Sequence, residues 1–455
     1  MSAVPRLPAR LPEPGRRRSE RAGRLSPWRW LAAWFALWLP LLLPAAVNAG
    51  GLTIGELLAA ASRHPEVRAS ELAVREGELR AEQASAGLYP KLSLFGKAET
   101  YNSPTNLRPM PPTEVNVAAG QSIPFSRDIF RYGVSIEAPL YAAKILRLRE
   151  KMRLLADRGG IANRINLVSR QAAVISLESG WQALSELRQA VDGRLASLAA
   201  TRDSVRMQVD NGRAAEAELM KIDNTVLALR QQQDELAQKG LDLERDIYQF
   251  TGLAATAPVA MELAGPLTGE KLIGVALEEA EVAAQKKEVA RARAGRYPTL
   301  SVYGTLSGNE GEAYNTDTGI SRSYNFAGLV LNQPLFDRTV TADEELARIG
   351  EEKAEQKLAQ TRIELAALEK NLQSRLPVVA DSLALAKQSL ANSRKLLGVA
   401  RVAYASGRTT TEEYLRYEAQ VLEAQAAIAK ARDEQWQIHA KQAVLYGVDL
   451  RGVVK

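Results

Sequence analysis

The sequence predicts a mainly α-helical fold with a small β part, organised as two tandem structural repeats of a helix, hairpin strands and a long antiparallel helix pair. In the 455-residue chain, the segment ASAGLYPKLSLFG at 84–96 is echoed by ARAGRYPTLSVYG at 292–304. Three further pairs of landmarks share one offset of 195 residues: Pro139 and Pro334, Gly212 and Gly407, and Gly252 and Gly447. A register kept through three landmarks indicates an internal duplication with a very long period.

Residues 1–49 are predicted to be a signal peptide that is cleaved after export. They contain eight arginines and two acidic residues, which together account for the formal charge of +6. An apolar run from Trp30 to Val47 precedes the small-residue site Val47-Asn48-Ala49. A transmembrane anchor is the alternative, but two prolines late in the run favour cleavage. Because the excess charge lies in this leader, it does not indicate a nucleic-acid partner.

The mature chain is predicted to divide into two repeats joined by a linker. The first repeat covers 50–252, the linker 253–267 and the second repeat 268–455. Strands are expected at about 90–139 and 298–334, and the tips of the helix pairs near residues 212 and 407.

An alternating pattern predicts two-sided strands in both repeats. Phe130, Tyr132, Val134 and Ile136 alternate with small or polar residues, and thirteen of the 21 aromatic residues after residue 49 lie within 89–141 and 297–336. Strands with one apolar side, flanked by aromatic residues, are typical of a transmembrane β-barrel wall. The alternative is a soluble hairpin that buries one face on its own helices. Four strands cannot close a barrel, so several chains would have to share one.

Heptad spacing predicts the long helix pairs. Apolar residues from Leu177 to Val209 recur three and four positions apart, and a similar series follows the turn at Gly212. Such a seam is typical of paired helices, and a helix over 140–209 would extend ~105 Å. The second repeat has the same pattern around Gly407, with Pro377 inside its first long helix. Because proline lacks an amide hydrogen and clashes with the preceding turn, we expect a kink there.

Together these motifs resemble the TolC-like outer membrane efflux protein (OEP) family. The resemblance covers roughly residues 52–450 and rests on the tandem Tyr-Pro-x-Leu-Ser strand starts, the Pro-Leu-aromatic strand exits, the glycine tips and the glycines that end the helix pairs. The sequence departs from the family where Ala142-Ala143 and Asp337-Arg338 replace a glycine pair that often follows the strand exit.

The resemblance implies a homotrimer. Each protomer would give four strands to a shared twelve-stranded transmembrane β-barrel, and its helices to a trimeric α-barrel tunnel continuous with that barrel. It also implies an exit duct in the outer membrane of a Gram-negative bacterium, in contact with outer membrane lipid and with its tunnel in the periplasm. The partners would be a periplasmic adaptor (membrane fusion protein) and an inner-membrane ABC or proton-driven pump.

The expected function is the expulsion of small molecules such as drugs through a tripartite export system. The outer membrane component of a type I protein secretion system is the alternative, and a periplasmic coiled-coil scaffold without a pore is a more distant one. An enzyme is not expected, because the chain has two histidines, no cysteine and no glycine-rich phosphate loop. No catalytic residue, cofactor or metal ligand is predicted. Without cysteine the chain is expected not to be lipidated.

The two helix tips are predicted to dock the adaptor. They are the loops at the far end of the helix pairs from the strands, so they can meet a periplasmic partner end-on. Their residues are Asn211, Gly212 and Arg213 in the first repeat and Ser406, Gly407 and Arg408 in the second.

The resemblance also implies a periplasmic gate just beyond the tips, formed by Glu218, Tyr404, Glu413 and Arg416. Glu413 stands where the family has an acid, and three copies would form a cation-attracting ring. Glu218 is its equivalent in the first repeat, and Tyr404 is expected to donate its hydroxyl to Glu218. Arg416 replaces a second family acid, which weakens the pattern. The alternative for Glu413 is an ordinary first-turn acid favoured by the helix dipole.

Overall fold

The computed structural model describes residues 52–111 and 121–455, and residues 52–455 form one compact unit. The predicted signal peptide lies outside the described residues. In chain order the elements are α1 Ile54–Ser62, α2 Pro65–Ala86, β1 Lys91–Asn106, β2 Phe125–Ala142, α3 Ala143–Asp210, α4 Glu216–Thr251, α5 Ile273–Arg293, β3 Thr299–Glu312, β4 Gly319–Asn332, α6 Arg338–Ala405 and α7 Thr411–Tyr446. Short 3₁₀ turns follow α5 at Ala294–Arg296 and α7 at Leu450–Gly452.

The helix pairs of the two repeats have identical bounds after a shift of 195 residues. The long helices α3 and α6 both contain 68 residues, and the return helices α4 and α7 both contain 36. At 1.5 Å per residue a long helix spans about 100 Å. The duplication of sequence is therefore a duplication of structure.

The helices form a single-layered wall with two different edges. On the side of the strands, α2 packs on α3, α3 on α5, and α5 on α6. Towards the tips, α4 packs on α3, α3 on α7, and α7 on α6. Helices α2 and α4 therefore form one edge of the wall, and α6 forms the other.

Heptad periodicity governs which residues of the long helices are buried. In α6 the buried residues of the tip half recur every seven positions: Leu372, Val379, Ala386, Ser393 and Ala400. This is the spacing that keeps one stripe facing a neighbouring helix. Pro377 lies on the exposed side, and α6 continues through it as one helix.

The strands form one antiparallel sheet in the order β1-β2-β3-β4. Adjacent β2 and β3 come from different repeats, so the sheet joins the two halves of the duplication. The ladder is irregular between Thr100 and Thr105 and between Pro139 and Tyr141. Strands β1 and β4 are the two edges of the sheet.

A hydrophobic core surrounds the middle of α3, where α1, the linker and residues 448–454 pack together. Leu57 and Leu58 of α1 and Ile247 of α4 are fully buried in it. The linker pairs with the end of the described chain, because Glu262 N–H donates to the Lys455 carbonyl at 2.8 Å and Lys455 N–H donates back at 3.0 Å.

The predicted mainly α-helical fold with a small antiparallel β part is confirmed. None of the helices within 52–111 and 121–455 combines the length and the apolar character needed to cross a bilayer.

Candidate functional site

The sheet has two chemically different faces. Residues directly opposite one another in a ladder share a face. Val134 of β2 lies opposite Leu94 of β1 and Leu306 of β3, whereas its neighbour Ser135 lies opposite Ser93 and Thr305. We name these the apolar face and the polar face.

Side chains at the centre of the apolar face are exposed in the single chain. Leu94 is 85% exposed and Leu306 is 64% exposed. On the polar face Asn309 is only 2% exposed and the Arg131 side chain 23%.

Aromatic rings lie over glycines of the neighbouring strands on both faces. A Cβ atom added to Gly308 would lie 2.7 Å from the Tyr132 ring, and one added to Gly328 would lie 3.0 Å from the Tyr303 ring. Phe130 packs beside Tyr132 on the apolar face, with ring centroids 5.7 Å apart. Small residues are needed at these glycine positions so that the rings can lie flat on the sheet.

The two tips have the same backbone geometry. Gly212 and Gly407 have φ angles of +69° and +71°, which favour glycine. The N–H groups of Arg213 and Arg408 return to carbonyls of the preceding helix at 2.7 and 2.8 Å. These are Schellman motifs, which satisfy the last carbonyls of α3 and α6.

Polar side chains reinforce both tips. The Asn211 amide donates to the Met207 carbonyl at 2.7 Å, and the Ser406 hydroxyl donates to the Val402 carbonyl at 3.0 Å. Each tip is therefore fixed by bonds within its own helix.

The tips lie beside each other and share an open groove of about 390 Å³. Arg213 and Glu218 line it from the first repeat, and Tyr404, Arg408 and Thr411 line it from the second. The structure thus brings predicted docking residues and predicted gate residues of both repeats to one place.

Tyr404 contacts Thr411, not Glu218, through its hydroxyl. Tyr404 Oη lies 3.0 Å from Thr411 Oγ1, across the turn of its own repeat. The predicted direct bond between Tyr404 and Glu218 is therefore wrong for the single chain. Thr411 occupies the position between them, because α7 packs against α3 and carries its first turn into the groove.

The Thr411 hydroxyl also interacts with the Glu218 carboxylate. The Thr411 hydroxyl is the main cause that lowers the pKa of the Glu218 carboxyl, and Lys221, with Nζ at 3.1 Å, lowers it further. Glu218 is therefore ionised at neutral pH and accepts hydrogen bonds at the groove.

Glu413 and Arg416 lie together on the first turns of α7. The Glu413 N–H donates to Thr410 Oγ1 at 3.2 Å, and Arg416 Nη2 lies 3.6 Å from Glu413 Oε1. Within one chain, Arg416, which replaces a family acid, therefore lies beside Glu413, which stands where the family has an acid. A ring of three Glu413 carboxylates stays a prediction.

A buried polar network behind the tip was not predicted. Glu418 is 4% exposed and accepts hydrogen bonds from Tyr414 at 2.9 Å and from Ser197 of α3 at 2.7 Å. Arg401 of α6 donates to the same Ser197 hydroxyl at 3.2 Å. The network connects α3, α6 and α7, and the spacing of Tyr414 and Glu418 on one helix face was its only signal in the sequence.

A second buried acid, Glu178, accepts a hydrogen bond from the linker. Glu178 of α3 is fully buried, and its Oε2 accepts the Val259 N–H at 3.0 Å. Its other carboxyl oxygen has no hydrogen-bond partner within the described residues. Burial raises the pKa of Glu178 to about 7. Within 52–111 and 121–455, no three His, Asp or Glu side chains are grouped as metal ligands.

Solved bacterial channel structures share this architecture. The outer membrane protein VceC of Vibrio cholerae is 12% identical with a TM-score of 0.73, and the match covers 87% of this chain and 96% of that one. The CmeC outer membrane channel of Campylobacter jejuni is 13% identical with a TM-score of 0.73, covering 87% and 84%. The open MtrE outer membrane channel of Neisseria gonorrhoeae is 14% identical with a TM-score of 0.68, covering 87% and 89%. The fold is therefore that of outer membrane channel proteins.

The model of the outer membrane efflux protein family matches residues 275–446, from α5 to the end of α7. The resemblance of the chain to TolC-like outer membrane efflux proteins is thus confirmed. The prediction that the chain is not an enzyme agrees with this family of channels. No curated protein sequence matches the chain significantly.

Proposed function

We propose that the chain is the outer membrane exit duct of a tripartite export system and acts as a homotrimer. The observation that carries this proposal is that the sheet and the helical wall are both open, with unlike edges. The edge strand β1 follows the edge helix α2, and the edge strand β4 precedes the edge helix α6. Unlike edges on opposite sides suit a head-to-tail contact, which forms a ring of identical chains when the rotation between neighbours closes.

The exposed apolar residues of these edges support ring closure. Leu346, Ile363, Leu385, Val399 and Val402 of α6 are each at least 66% exposed in the single chain. The opposite edge exposes Leu72 of α2 and Leu227 and Leu241 of α4 to a similar extent. Burying two such stripes against each other is favourable at about 25 cal/mol per Å² of apolar area.

Ring closure also removes the open sheet edges, which are not tolerated in lipid. Three sheets of four strands would form a twelve-stranded barrel with Leu94 and Leu306 towards lipid and the polar face towards the lumen. The exposed leucines of the apolar face support this orientation. Export behind a cleaved signal peptide, without lipidation, is part of the same proposal.

The tips are the proposed docking surface for the periplasmic adaptor, which would connect the duct to an ABC or proton-driven pump. Their paired arginines, Arg213 and Arg408, line the shared groove at the far end of the long helices. Small molecules are the proposed cargo, because the matching family is described as efflux proteins. Type I protein secretion would use the same duct and is distinguished by which adaptor and pump co-purify after cross-linking in cells.

The proposal is tested by membrane fractionation and single-channel recording. The protein is expected in the outer membrane fraction, as a detergent-dependent trimer that gives discrete conductance steps in a planar bilayer. A soluble monomer without conductance would instead identify a periplasmic scaffold.

A further inference from the structure

One row of the polar face carries three basic side chains. Lys97 of β1 lies opposite Arg131 of β2, Arg131 lies opposite Asn309 of β3, and Asn309 lies opposite Arg322 of β4. We name Lys97, Arg131, Asn309 and Arg322 the basic row. It crosses the whole sheet, with one residue from each strand.

The basic row is an unfavourable arrangement for a sheet on its own. Like charges directly opposite each other, as in Lys97 and Arg131, are destabilising. Arg131 is neutralised by Glu99, with Nε 2.7 Å from Oε2, and its Nη1 donates to the Leu107 carbonyl at 2.8 Å. In the part of the chain that the structure describes, neither Lys97 nor Arg322 lies within ion-pair distance of a carboxylate. The row therefore has three basic side chains against the single acid Glu99, which also interacts electrostatically with Lys97.

The fourth member of the row adds a buried donor. Asn309 is 2% exposed, and its Nδ2 has no hydrogen-bond partner within the described residues. A buried amide group without a partner is unfavourable, and most buried polar groups in proteins have one. The row thus combines an excess of positive charge with a buried N–H donor, and only the basic side chains can meet an anion in the lumen.

The excess of positive charge is specific to this row. At the helix end of the polar face, Lys91 lies directly opposite Glu137. The two rows between this pair and the basic row carry no charge. The apolar face has no lysine or arginine in its paired rows. General surface basicity therefore does not explain the basic row.

We propose that the basic row forms an anion-attracting belt inside the strand section of the channel and favours anionic solutes during passage. The proposal rests on the proposed trimeric channel, in which three copies of the row would encircle the lumen. Rings of lysine and arginine side chains select anions by raising their local concentration in the pore. Lys97 and Arg322 are the specificity-determining residues, and Arg131 with Glu99 is a neutral pair that spaces them.

The test is the reversal potential of the full-length trimer in a planar bilayer under a KCl gradient. The wild-type reversal potential is the reference, because the predicted Glu413 ring at the gate would favour cations in the same channel. The double variant Lys97→Gln with Arg322→Gln is expected to shift the reversal potential towards cation preference, and each single variant to shift it part of the way. An unchanged reversal potential in the double variant would overturn the anion belt and leave the channel proposal intact.

A matched pair of acids provides the control. Glu99→Gln on the polar face is expected to shift the reversal potential towards chloride, because it removes the counter-charge of Arg131. Glu310→Gln on the apolar face removes the same charge at a similar level and is expected to leave the reversal potential unchanged. Equal shifts in the two variants would show that the polar face does not line the lumen. A wild-type trimer without any conductance would overturn the proposed channel itself.

Discussion

Tyr404 and Tyr414 stack at the tip of the second repeat, with ring centroids 4.8 Å apart and ring planes at 13°. One ring belongs to the last turn of α6 and the other to the first turn of α7, so the stack clamps the two helices beside the groove. Each hydroxyl has its own partner, Thr411 for Tyr404 and Glu418 for Tyr414. Movement of the tip would have to break these contacts together.

The first prediction concerns this clamp. Tyr404→Phe and Thr411→Val each remove one side of the same hydrogen bond, which contributes about 1 kcal/mol. If the bond holds the tip closed, Tyr404→Phe should raise the open-to-closed ratio roughly fivefold, and Thr411→Val should raise it further because it also removes the contact with Glu218. Adding Tyr404→Phe to Thr411→Val should change little. Glu218→Gln combined with Tyr404→Phe should open the tip further, because Thr411 contacts both residues.

Single-channel conductance in a planar bilayer measures this effect. Tyr417→Phe is the matched control, because the Tyr417 hydroxyl has no hydrogen-bond partner within the described residues. If Tyr404→Phe and Tyr417→Phe behave alike, the bond to Thr411 does not hold the tip.

The second prediction concerns docking. Arg213→Glu with Arg408→Glu reverses the charge of both tips without touching the glycines that form the turns. We expect the trimer to assemble normally, whereas cross-linking to the adaptor in cells and export should both be lost. Arg206→Glu with Arg394→Glu is the control, since these exposed arginines lie on the flanks of α3 and α6. Undiminished cross-linking in the tip variant would show that the two arginines do not contribute to docking.

The third prediction concerns the pH dependence of stability. Burial raises the pKa of Glu178 from 4.5 to about 7, so the neutral carboxyl is favoured in the folded protein. This stabilisation is fully present below pH ~4.5 and is lost as the pH rises through about 7. Glu178→Gln should therefore flatten the pH profile and stabilise the protein at pH ~8, by up to roughly 3 kcal/mol.

Thermal unfolding of the detergent-solubilised protein between acidic and mildly alkaline pH tests this expectation. Glu235→Gln is the control, because it makes the same substitution at an exposed position. In the contrary outcome, the melting temperature of Glu178→Gln still falls between neutral and alkaline pH as steeply as that of the wild type. That result would show that Glu178 does not titrate in this range.

The fourth prediction separates the two faces of the sheet. Val134→Arg places a charge on the apolar face and should destabilise the trimer by ~2–4 kcal/mol if the residue lies near the bilayer midplane. Ser135→Arg, one residue away, places the same side chain on the polar face and should have a mild effect. Yield and heat resistance of the trimer in outer membrane extracts measure the difference. Equal losses would mean that the two faces are misassigned.

Local signals in the sequence predicted the backbone well where one residue type fixes it. Gly212 and Gly407 mark the turns because few other residues adopt a positive φ. Pro65 is a local signal of the same kind, since His64 caps α2 and proline suits the first position of a helix. The kink expected at Pro377 stays a prediction; the helix continues through this residue, which lies on its exposed side.

The candidate site was less predictable because it depends on contacts between repeats. Thr411 lies near Glu218 only because α7 packs on α3, and no short-range pattern specifies that pairing. The basic row could not be predicted from the sequence for the same reason. Lys97 and Arg322 lie more than two hundred residues apart in sequence, and the register of three ladders brings them into one row.

The equal geometry of the two tips has a consequence for partner stoichiometry. Each chain presents Gly212-Arg213 and Gly407-Arg408 in the same backbone conformation, side by side. In the proposed trimer the end of the tunnel would therefore carry six nearly equivalent loops. A threefold assembly would thus offer pseudo-sixfold symmetry at this end. A partner that recognises one loop would find six binding positions, which suits a hexameric ring better than a trimeric one.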